Sequence, residues 1–591
     1  MAEIQGSGGP LPAIPDDMTI VQFMLDYRHP SRPAARNAWF IDDVTGRRIG
    51  EDEIRFRTDA LANGLSSRWP IEENDVVCIF SPNHIDYPVV FWALQRIGAT
   101  VTFVAAQRFV IELNFAIHST ANPAYTADEL MHQLKTTKAK YLLVHSFVYS
   151  VALSAARAVG IPTDFIVLVD SRGISEHSTI QSLIEVGWHG PRRYKEPRLR
   201  PGEAKTRIAM LCFSSGTTGL PKAVAIPHYA VIANVIQVAT YANADPNPWE
   251  RKMHRPGDVV LAVLPFYHGY GLIFILHSVL FYSMTLVVVP KFDFVSMLKS
   301  IERYRINYLP IVPPIVVLLC KHPEVSKHDL SSIRVILSSA APVSREVTQQ
   351  LMHIFPDASI AQGYGLTETT VTLSMPRLDM KIATPGSSGV LLPGVTARIL
   401  RADGSLASRN EPGQLVATGP AMALCYSNNE QATKETFVDG WVYTGDEVMF
   451  DDNGELFVID RIKELLKVKG FQVAPAELEG FLLNHSDVSD VCIAGIPDDF
   501  QGDLLLAFVV LNGAAQRRIR EDPAHADAIR AALIQYVARG KAAYKQLTAG
   551  VEFVEAIPRN PSGKLLRRTL RDRARELWRT GMLTSSTKAR L

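Results

Sequence analysis

The sequence predicts an α/β protein, with a large N-terminal domain of layered α/β subdomains plus a β-rich section and a small C-terminal α+β domain. Three observations carry this. Short β-branched runs, "DVVCIF", "AKYLLV", "FIVLVD", "DVVLAVL", "TLVVVP" and "VILSSA", recur between helical patterns, as strands buried on both faces of parallel sheets do. After about Gly386 the pattern changes to alternation with Asp-Gly and Asn-Gly turns, in "ARILRADGSLA", "GQLVATG" and "GELFVIDRIKELLKVKG", which marks the β-rich section. From about Arg461 a helix ("PAELEGFLLNH"), strands ("DVCIAGI", "LLLAFVVL") and a second helix ("HADAIRAALIQYVARG") suffice for a separate small domain.

In chain order, residues 1–40 begin "MAEIQGSGGPLPAIPDD", which lacks the basic-then-apolar layout of a signal peptide; its Gly and Pro predict a loose lead-in. Residues 41–460 form the N-terminal domain, 461–575 the C-terminal domain and 576–591 a tail. Residues 259–290 contain no Asp, Glu, Lys or Arg, and "GLIFILHSVLFYSMTLVVV" is about long enough to span a bilayer. His277, Ser278, Tyr282, Ser283 and Thr285 interrupt it, and Pro265, Gly269 and Gly271 precede it, so we read a buried strand, loop, helix and strand rather than a membrane span. The basic run "KLLRRTLRDRARELWR" reads as a solvated helix.

Apolar and charged fractions of 47% and 20% are those of an ordinary globular protein, and a net charge of +1 gives no footprint for nucleic acid or an anionic membrane. The five cysteines, Cys78, Cys212, Cys320, Cys425 and Cys492, lie far apart, with no Cys-x-x-Cys pair and no zinc spacing; they read as buried thiols of a reducing compartment.

"SSGTTGLPK", residues 214–222, looks like a phosphate loop but not a Walker loop: Leu220 and Pro221 separate Gly219 from Lys222, and Ala223 stands where a magnesium-binding hydroxyl is required. Following the apolar "RIAMLCF", it is a hydroxyl-lined loop able to wrap anionic oxygens, although such a cluster alone reads as a surface turn. "QGYGLTETT", "WVYTGD", "DRIKELLKVKGFQVAPAELE" and "IPRNPSGKLLRR" follow it in that order. Together these five motifs resemble the adenylate-forming superfamily of acyl-CoA synthetases, luciferases and peptide-synthetase adenylation domains, and look most like its 4-coumarate–CoA ligase branch, from about residue 40 to about residue 575.

The resemblance implies two half-reactions in one site. A carboxylate attacks the α-phosphate of ATP to give acyl-AMP and pyrophosphate, and a coenzyme A thiol then displaces AMP; cations and N–H donors must screen the meeting of two anions. It implies that Ser214, Ser215, Gly216, Thr217, Thr218 and Lys222 hold the β- and γ-phosphates, that Thr367 contacts the α-phosphate, and that Glu368 ligates Mg²⁺. Gln362, Gly363, Tyr364 and Ala340 of "SSAAP" would border adenine and the acid, with Ser339 replacing a glycine common in relatives. Asp446 and Arg461 would hold the ribose, and Lys564 would be the catalytic lysine. Lys463 would lie at a hinge about which the small domain is mobile; after the swing Lys467, Lys469, Gly470 and Gln472 would replace Lys564. Lys291, Lys469 and Gly470 would contact coenzyme A. Taken singly, Glu368 reads as a helix cap, Asp446 as a turn residue, Lys564 as an exposed lysine and "KELLKVKG" as a solvated helix end.

His268 in "PFYHGYGLIF" stands where relatives that activate amino acids carry an aspartate, which disfavours an amino-acid substrate; His268 would line the carboxylate path, with Tyr270, Phe274 and Met375 around the aryl pocket. Phe274 replaces a small residue and should narrow it, leaving a cinnamate, benzoate, phenylacetate or medium-chain fatty acid open. A luciferase-like oxygenase and a stand-alone module loading a carrier protein are the alternative functions. "FVAAQRFVIELNFAIHS", residues 103–119, splits a connection that normally runs ~2–6 residues and reads as a translated intron in preference to an extra element. The final Ala-Arg-Leu follows the form of a peroxisomal address, which would make the import receptor a partner, with the cytoplasm as the alternative.

Overall fold

The computed structural model describes residues 3–34, 39–104, 126–170, 177–214, 221–341, 343, 345–380, 383–469, 471–498, 501–559 and 565–583. All six β-branched runs are strands, in two sheets of seven. The first is ordered Cys425–Tyr426, Lys222–Pro227, Ile208–Ser214, Thr100–Val104, Val76–Phe80, Tyr141–Val144, Ile166–Leu168; its last five strands are parallel and the first two antiparallel. The second is ordered Ser359–Gln362, Val335–Ser338, Tyr308–Ile311, Val259–Ala262, Thr285–Val288, Phe40–Asp42, Arg48–Ile49, and is parallel up to the last hairpin. Both are layered with helices such as Tyr87–Ile97 and His228–Asn243, which are buried almost throughout, as sheets without a wet face require. The uncharged stretch forms strand Val259–Ala262, the wholly buried π-helix Tyr270–Val279 and strand Thr285–Val288; among the described residues no helix is long and apolar enough to cross a membrane.

The β-rich section is an antiparallel sheet of Thr396–Leu400, Gly413–Thr418, Trp441–Phe450 and Leu456–Arg461, with Phe437–Val438 at one side. Gly404 and Gly454 take the left-handed φ (82° and 77°) that the Asp-Gly and Asn-Gly turns demand.

The lead-in is not loose over its described residues. Ile4–Gln5 pairs antiparallel with Thr396 and Ala397, and Ile20, Val21, Phe23 and Met24 are fully buried, Phe23 stacking on Phe281 at 5.2 Å. The glycines and prolines route this segment across the core; they do not free it. Phe103 and Val104, assigned to the insert, complete strand Thr100–Val104 in register with Ile79 and Phe80. Residues 105–119 of the insert and the last eight residues of the tail lie outside the described residues.

The C-terminal part has its own core on both faces of a sheet ordered Phe471–Val473, Leu466–Val468, Gly502–Leu511, Val488–Asp498, with Gly550–Phe553 parallel to Gly502–Leu511. Within "KELLKVKG", Leu466–Val468 is thus a strand, as the alternation of "GELFVIDRIKELLKVKG" predicts, and not the helix end that the run resembles when taken singly. Helix Arg567–Arg579 is not merely solvated: Arg567, Leu570 and Ala574 are buried against this sheet. Lys321 of the large domain reaches across, its ammonium donating to the carbonyls of Leu483 (2.5 Å) and Val488 (2.8 Å).

Candidate active site

The C-terminal ends of strands Val335–Ser338 and Ser359–Gln362 of the second sheet, and of Ile208–Ser214 and Thr100–Val104 of the first, border one cavity of about 580 Å³, the kind of place where open α/β sheets leave a crevice between diverging connections. Its apolar end is closed by Tyr270, Phe274 and Met375, all at most 6% exposed, with the Tyr270 and Phe274 rings 5.6 Å apart and the Tyr270 hydroxyl donating to the Leu337 carbonyl (3.2 Å). His268 lines the middle; its Nδ1 accepts from the Tyr270 N–H at 3.3 Å. Ala340 and Gly363 line the wall, and Ala340 holds φ at 74°, a strained value for a residue with a Cβ. Ser339 Oγ donates to the Gly363 carbonyl (2.8 Å), tying together the two strand ends that flank the pocket.

Thr367 and Glu368 open the short helical turn Thr367–Thr369. Thr370 and Val371 then take φ of 51° and 80°, and a Cβ on Gly365 would lie 1.3 Å from the Val371 carbonyl oxygen, so this tight return requires glycine. Glu368 is 9% exposed, one carboxylate oxygen accepts from the Tyr426 hydroxyl at 2.7 Å, and among the described residues no cation pairs with it. Tyr426 sits in register with Val224, beside Lys222, whose ammonium lies 4.8 Å from its ring centre. Ser214 and Lys222 are themselves partners across a β-hairpin, which fixes both ends of the hydroxyl loop at the cavity; Ser215, Gly216, Thr217 and Thr218 lie outside the described residues.

Asp446 and Arg461 face each other on adjacent strands. The Arg461 Nε lies 2.6 Å from one Asp446 oxygen and the Tyr364 hydroxyl donates to the other at 2.6 Å, so Asp446, 3% exposed, stands behind Tyr364 and Arg461 rather than on the cavity wall. Burial and this carboxylate push the Tyr364 phenol far above its ordinary pKa; burial opposes the charge of Arg461, and Asp446 together with Tyr364, Glu368 and Glu464 outweighs it and raises the Arg461 pKa. Lys463 lines the mouth.

Gln362 is not brought to the cavity, because its amide is spent on the Val343 backbone, accepting from N–H at 2.8 Å and donating to the carbonyl at 3.2 Å. Lys467, Lys469 and Gln472 are exposed on the hairpin Leu466–Val468/Phe471–Val473, and Lys291 is exposed beyond strand Thr285–Val288; none lines the cavity. Gly470 and Lys564 lie outside the described residues.

Sequence reasoning missed Tyr426, Gln133, Glu129 and Arg559, which also line the cavity. Tyr426 carried no motif signal, since strand pairing alone brings it there. Arg559 lay inside "IPRNPSGK" and pairs with Asp490 at 2.8 Å. Arg567 was missed as well. Its side chain is 5% exposed; Nε donates to Glu464 at 2.9 Å, Nη1 to the Ile493 carbonyl at 2.9 Å, and both terminal nitrogens reach Glu479.

Residues 26–427 match the model of the AMP-binding enzyme family, and residues 477–564 that of the AMP-binding enzyme C-terminal domain. The chain belongs to the AMP-binding enzyme family. Relatives of this AMP-binding enzyme include 4-coumarate–CoA ligase 5 of Oryza sativa subsp. japonica, 35% identical over 95% of both chains. Another is acyl-CoA ligase AFT1-1 of Alternaria alternata, 32% identical over 95% of this chain and 96% of that one. The fold is that of the anthranilate–CoA ligase AuaEII, solved with anthranoyl-AMP (TM-score 0.78, 21% identity, 96% of this chain and 99% of that one), and of MatB from Rhodopseudomonas palustris (TM-score 0.76, 23% identity, 95% and 100%).

Proposed function

We propose that this AMP-binding enzyme is an ATP-dependent acid–CoA ligase acting on an aromatic carboxylic acid through an acyl-AMP. One observation carries the reading: a single cavity joins an aromatic-walled dead end at Tyr270, Phe274 and Met375 to a mouth bearing Lys222, Arg461, Lys463 and the carboxylate of Glu368, which no cation among the described residues pairs with. The dead end takes an aryl group and leaves its carboxylate facing the mouth, where the cations offset the repulsion between two anions. The carboxylate oxygen bonds to the α-phosphorus and pyrophosphate leaves toward Ser214 and Lys222; the thiol then bonds to the acyl carbon and AMP departs. Asp446 orients Tyr364 and Arg461 beside the nucleotide and reaches the ribose by exchanging one of these partners. Glu368 fits a Mg²⁺ ligand, being a carboxylate on the cavity wall that pairs with no cation among the described residues; the ion would supply charge neutralisation at the phosphates. Lys564 would screen the α-phosphate during adenylation, and Lys291, Lys467, Lys469, Gly470 and Gln472 would serve the thiolation pose.

The relatives named as CoA ligases support coenzyme A as the acceptor. A pyrophosphate-release screen of aryl and fatty acids, with and without coenzyme A, tests the reading. Coenzyme A-independent acyl-AMP formation and coenzyme A-dependent turnover of benzoates or cinnamates are expected; release only with amino acids, or turnover that consumes oxygen, would overturn it. Lys564→Ala should abolish acyl-AMP formation while leaving thiolation of supplied acyl-AMP intact.

A further inference from the structure

A second cavity, of about 230 Å³, lies at the opposite end of the second sheet from the active site: His254 precedes strand Val259–Ala262, Tyr282 precedes Thr285–Val288, and both line it. Arg32 and Lys252 line the same space, and among the described residues no Asp or Glu does.

The charge balance there is one-sided. Arg32 is 9% exposed and donates from Nη1 to the Met24 carbonyl at 2.8 Å. Its guanidinium lies 5.4 Å from the Trp39 ring centre and 5.7 Å from that of Phe281; among the described residues its Nε has no partner and no carboxylate stands within ion-pair distance. Glu51, the carboxylate acting on it from further off, is engaged by Arg28 and Arg55, and burial lowers the Arg32 pKa to about 10. Aromatic faces and one carbonyl offset only part of the cost of burying a guanidinium. Lys252 has no side-chain partner among the described residues. Asp245, the carboxylate nearest His254 and Tyr282, is occupied: its oxygens accept from the Asn247 and Met253 backbone N–H groups and the Asn247 amide. His254 is neutral, held down to about 4 by burial, and its Nδ1 is buried without a partner. The walls are aromatic, with Trp249, 52% exposed, at the rim and Tyr282 within.

We propose that this cavity binds a small organic oxyanion, with its charge set between Arg32 and Lys252 and its apolar body against Trp249 and Tyr282. A carboxylate and a phosphate monoester share this chemistry, so the test uses benzoate and phenyl phosphate as separate probes. Calorimetric titration of the full chain should give two binding events for at least one probe, one at the active site and one here. In Lys252→Met the second event should weaken about tenfold or more, with turnover at the active site unchanged. Loss with phenyl phosphate alone identifies a phosphate ligand, loss with benzoate alone a carboxylate, and loss with both the shared recognition. Arg32→Gln should abolish the event. Lys252→Met keeps the test decisive if Arg32→Gln does not fold, because Lys252 sits at the periphery. A single binding event for both probes in the unaltered protein, or a second event of equal strength in Lys252→Met, would overturn the proposal.

Discussion

Replacing Arg567 with Met should destabilise the C-terminal domain by about 3–4 kcal/mol, out of proportion to one substitution on a helix. The guanidinium satisfies Glu479, whose side chain is 9% exposed, and Glu464, at 15% exposed. Without it, Glu479 keeps the Ile493 N–H at 2.8 Å as its remaining donor among the described residues and becomes an unpaired buried charge, whereas Glu464 can turn toward water. Breaking a buried pair on one side costs about 3–5 kcal/mol, and the partial escape of Glu464 places this case in the lower half of that range. For a domain of this size the loss corresponds to a drop in Tm of about 10–20 °C. Hydrogen exchange of strands Val488–Asp498 and Gly502–Leu511 reads it locally, separately from the large domain. The double variant Arg567→Met/Glu479→Gln keeps an acceptor for the Ile493 N–H and removes the stranded charge, so it should recover at least half of the loss. A cost below about 1 kcal/mol, or no recovery in the double variant, would refute the assignment of this arginine as the charge centre of the domain.

Lys321→Met removes two charged-donor hydrogen bonds between the domains; because the side chain is exposed, we expect about 1–2 kcal/mol, read as a roughly 5–30-fold faster tryptic cleavage at Lys463, the hinge that the family resemblance implies. Phe274→Ala opens the dead end, and should raise kcat/KM for cinnamates relative to benzoates by about tenfold or more in the pyrophosphate assay; an unchanged ratio would remove Phe274 from the specificity wall. His228, His254 and His277 are held neutral by burial, at about 3, 4 and 4. Their folded values lie below the unfolded value of about 6.5, so the unfolded chain binds the extra protons and stability falls as pH drops from about 6.5 toward 4, by up to about 1.4 kcal/mol per pH unit for each group. His228→Gln keeps an acceptor for the Ile20 N–H and should flatten the urea-measured slope by about one group's share.

Strands were legible wherever burial on both faces wrote an unbroken β-branched run, as in "VILSSA" and "TLVVVP", because such residues have few other places to go. The lead-in was misjudged because Gly and Pro report local backbone freedom, whereas Ile4 and Phe23 are fixed by partners almost 400 and more than 250 positions away. In "KELLKVKG" the lysines taken singly suit a solvated helix end equally well, and pairing of Leu466 and Val468 with Val473 and Phe471 decides for the strand that the alternation in "GELFVIDRIKELLKVKG" predicts. At the site, residues inside motifs could be named, but motif membership did not say which way a side chain faces. Gln362 and Tyr364 are two positions apart; one is absorbed by Val343 and the other lines the cavity. Tyr426 depends on cross-strand register and Arg567 on the docking of its helix against the C-terminal sheet, which no spacing rule encodes.

The sheets are stitched from distant pieces: Phe40–Asp42 waits for Thr285–Val288, Lys222–Pro227 for Cys425–Tyr426, and Ile4–Gln5 for Thr396–Leu400. On a ribosome adding about 5–20 residues each second, the opening strand emerges about 20–80 s before its partner exists. The first sheet likewise presents an unpaired edge through most of synthesis. Nascent chains of this protein should therefore depend on chaperone cover until about two-thirds of the polypeptide has emerged, and an amino-terminal fusion that hinders Ile4–Gln5 from docking would expose that edge for longer still.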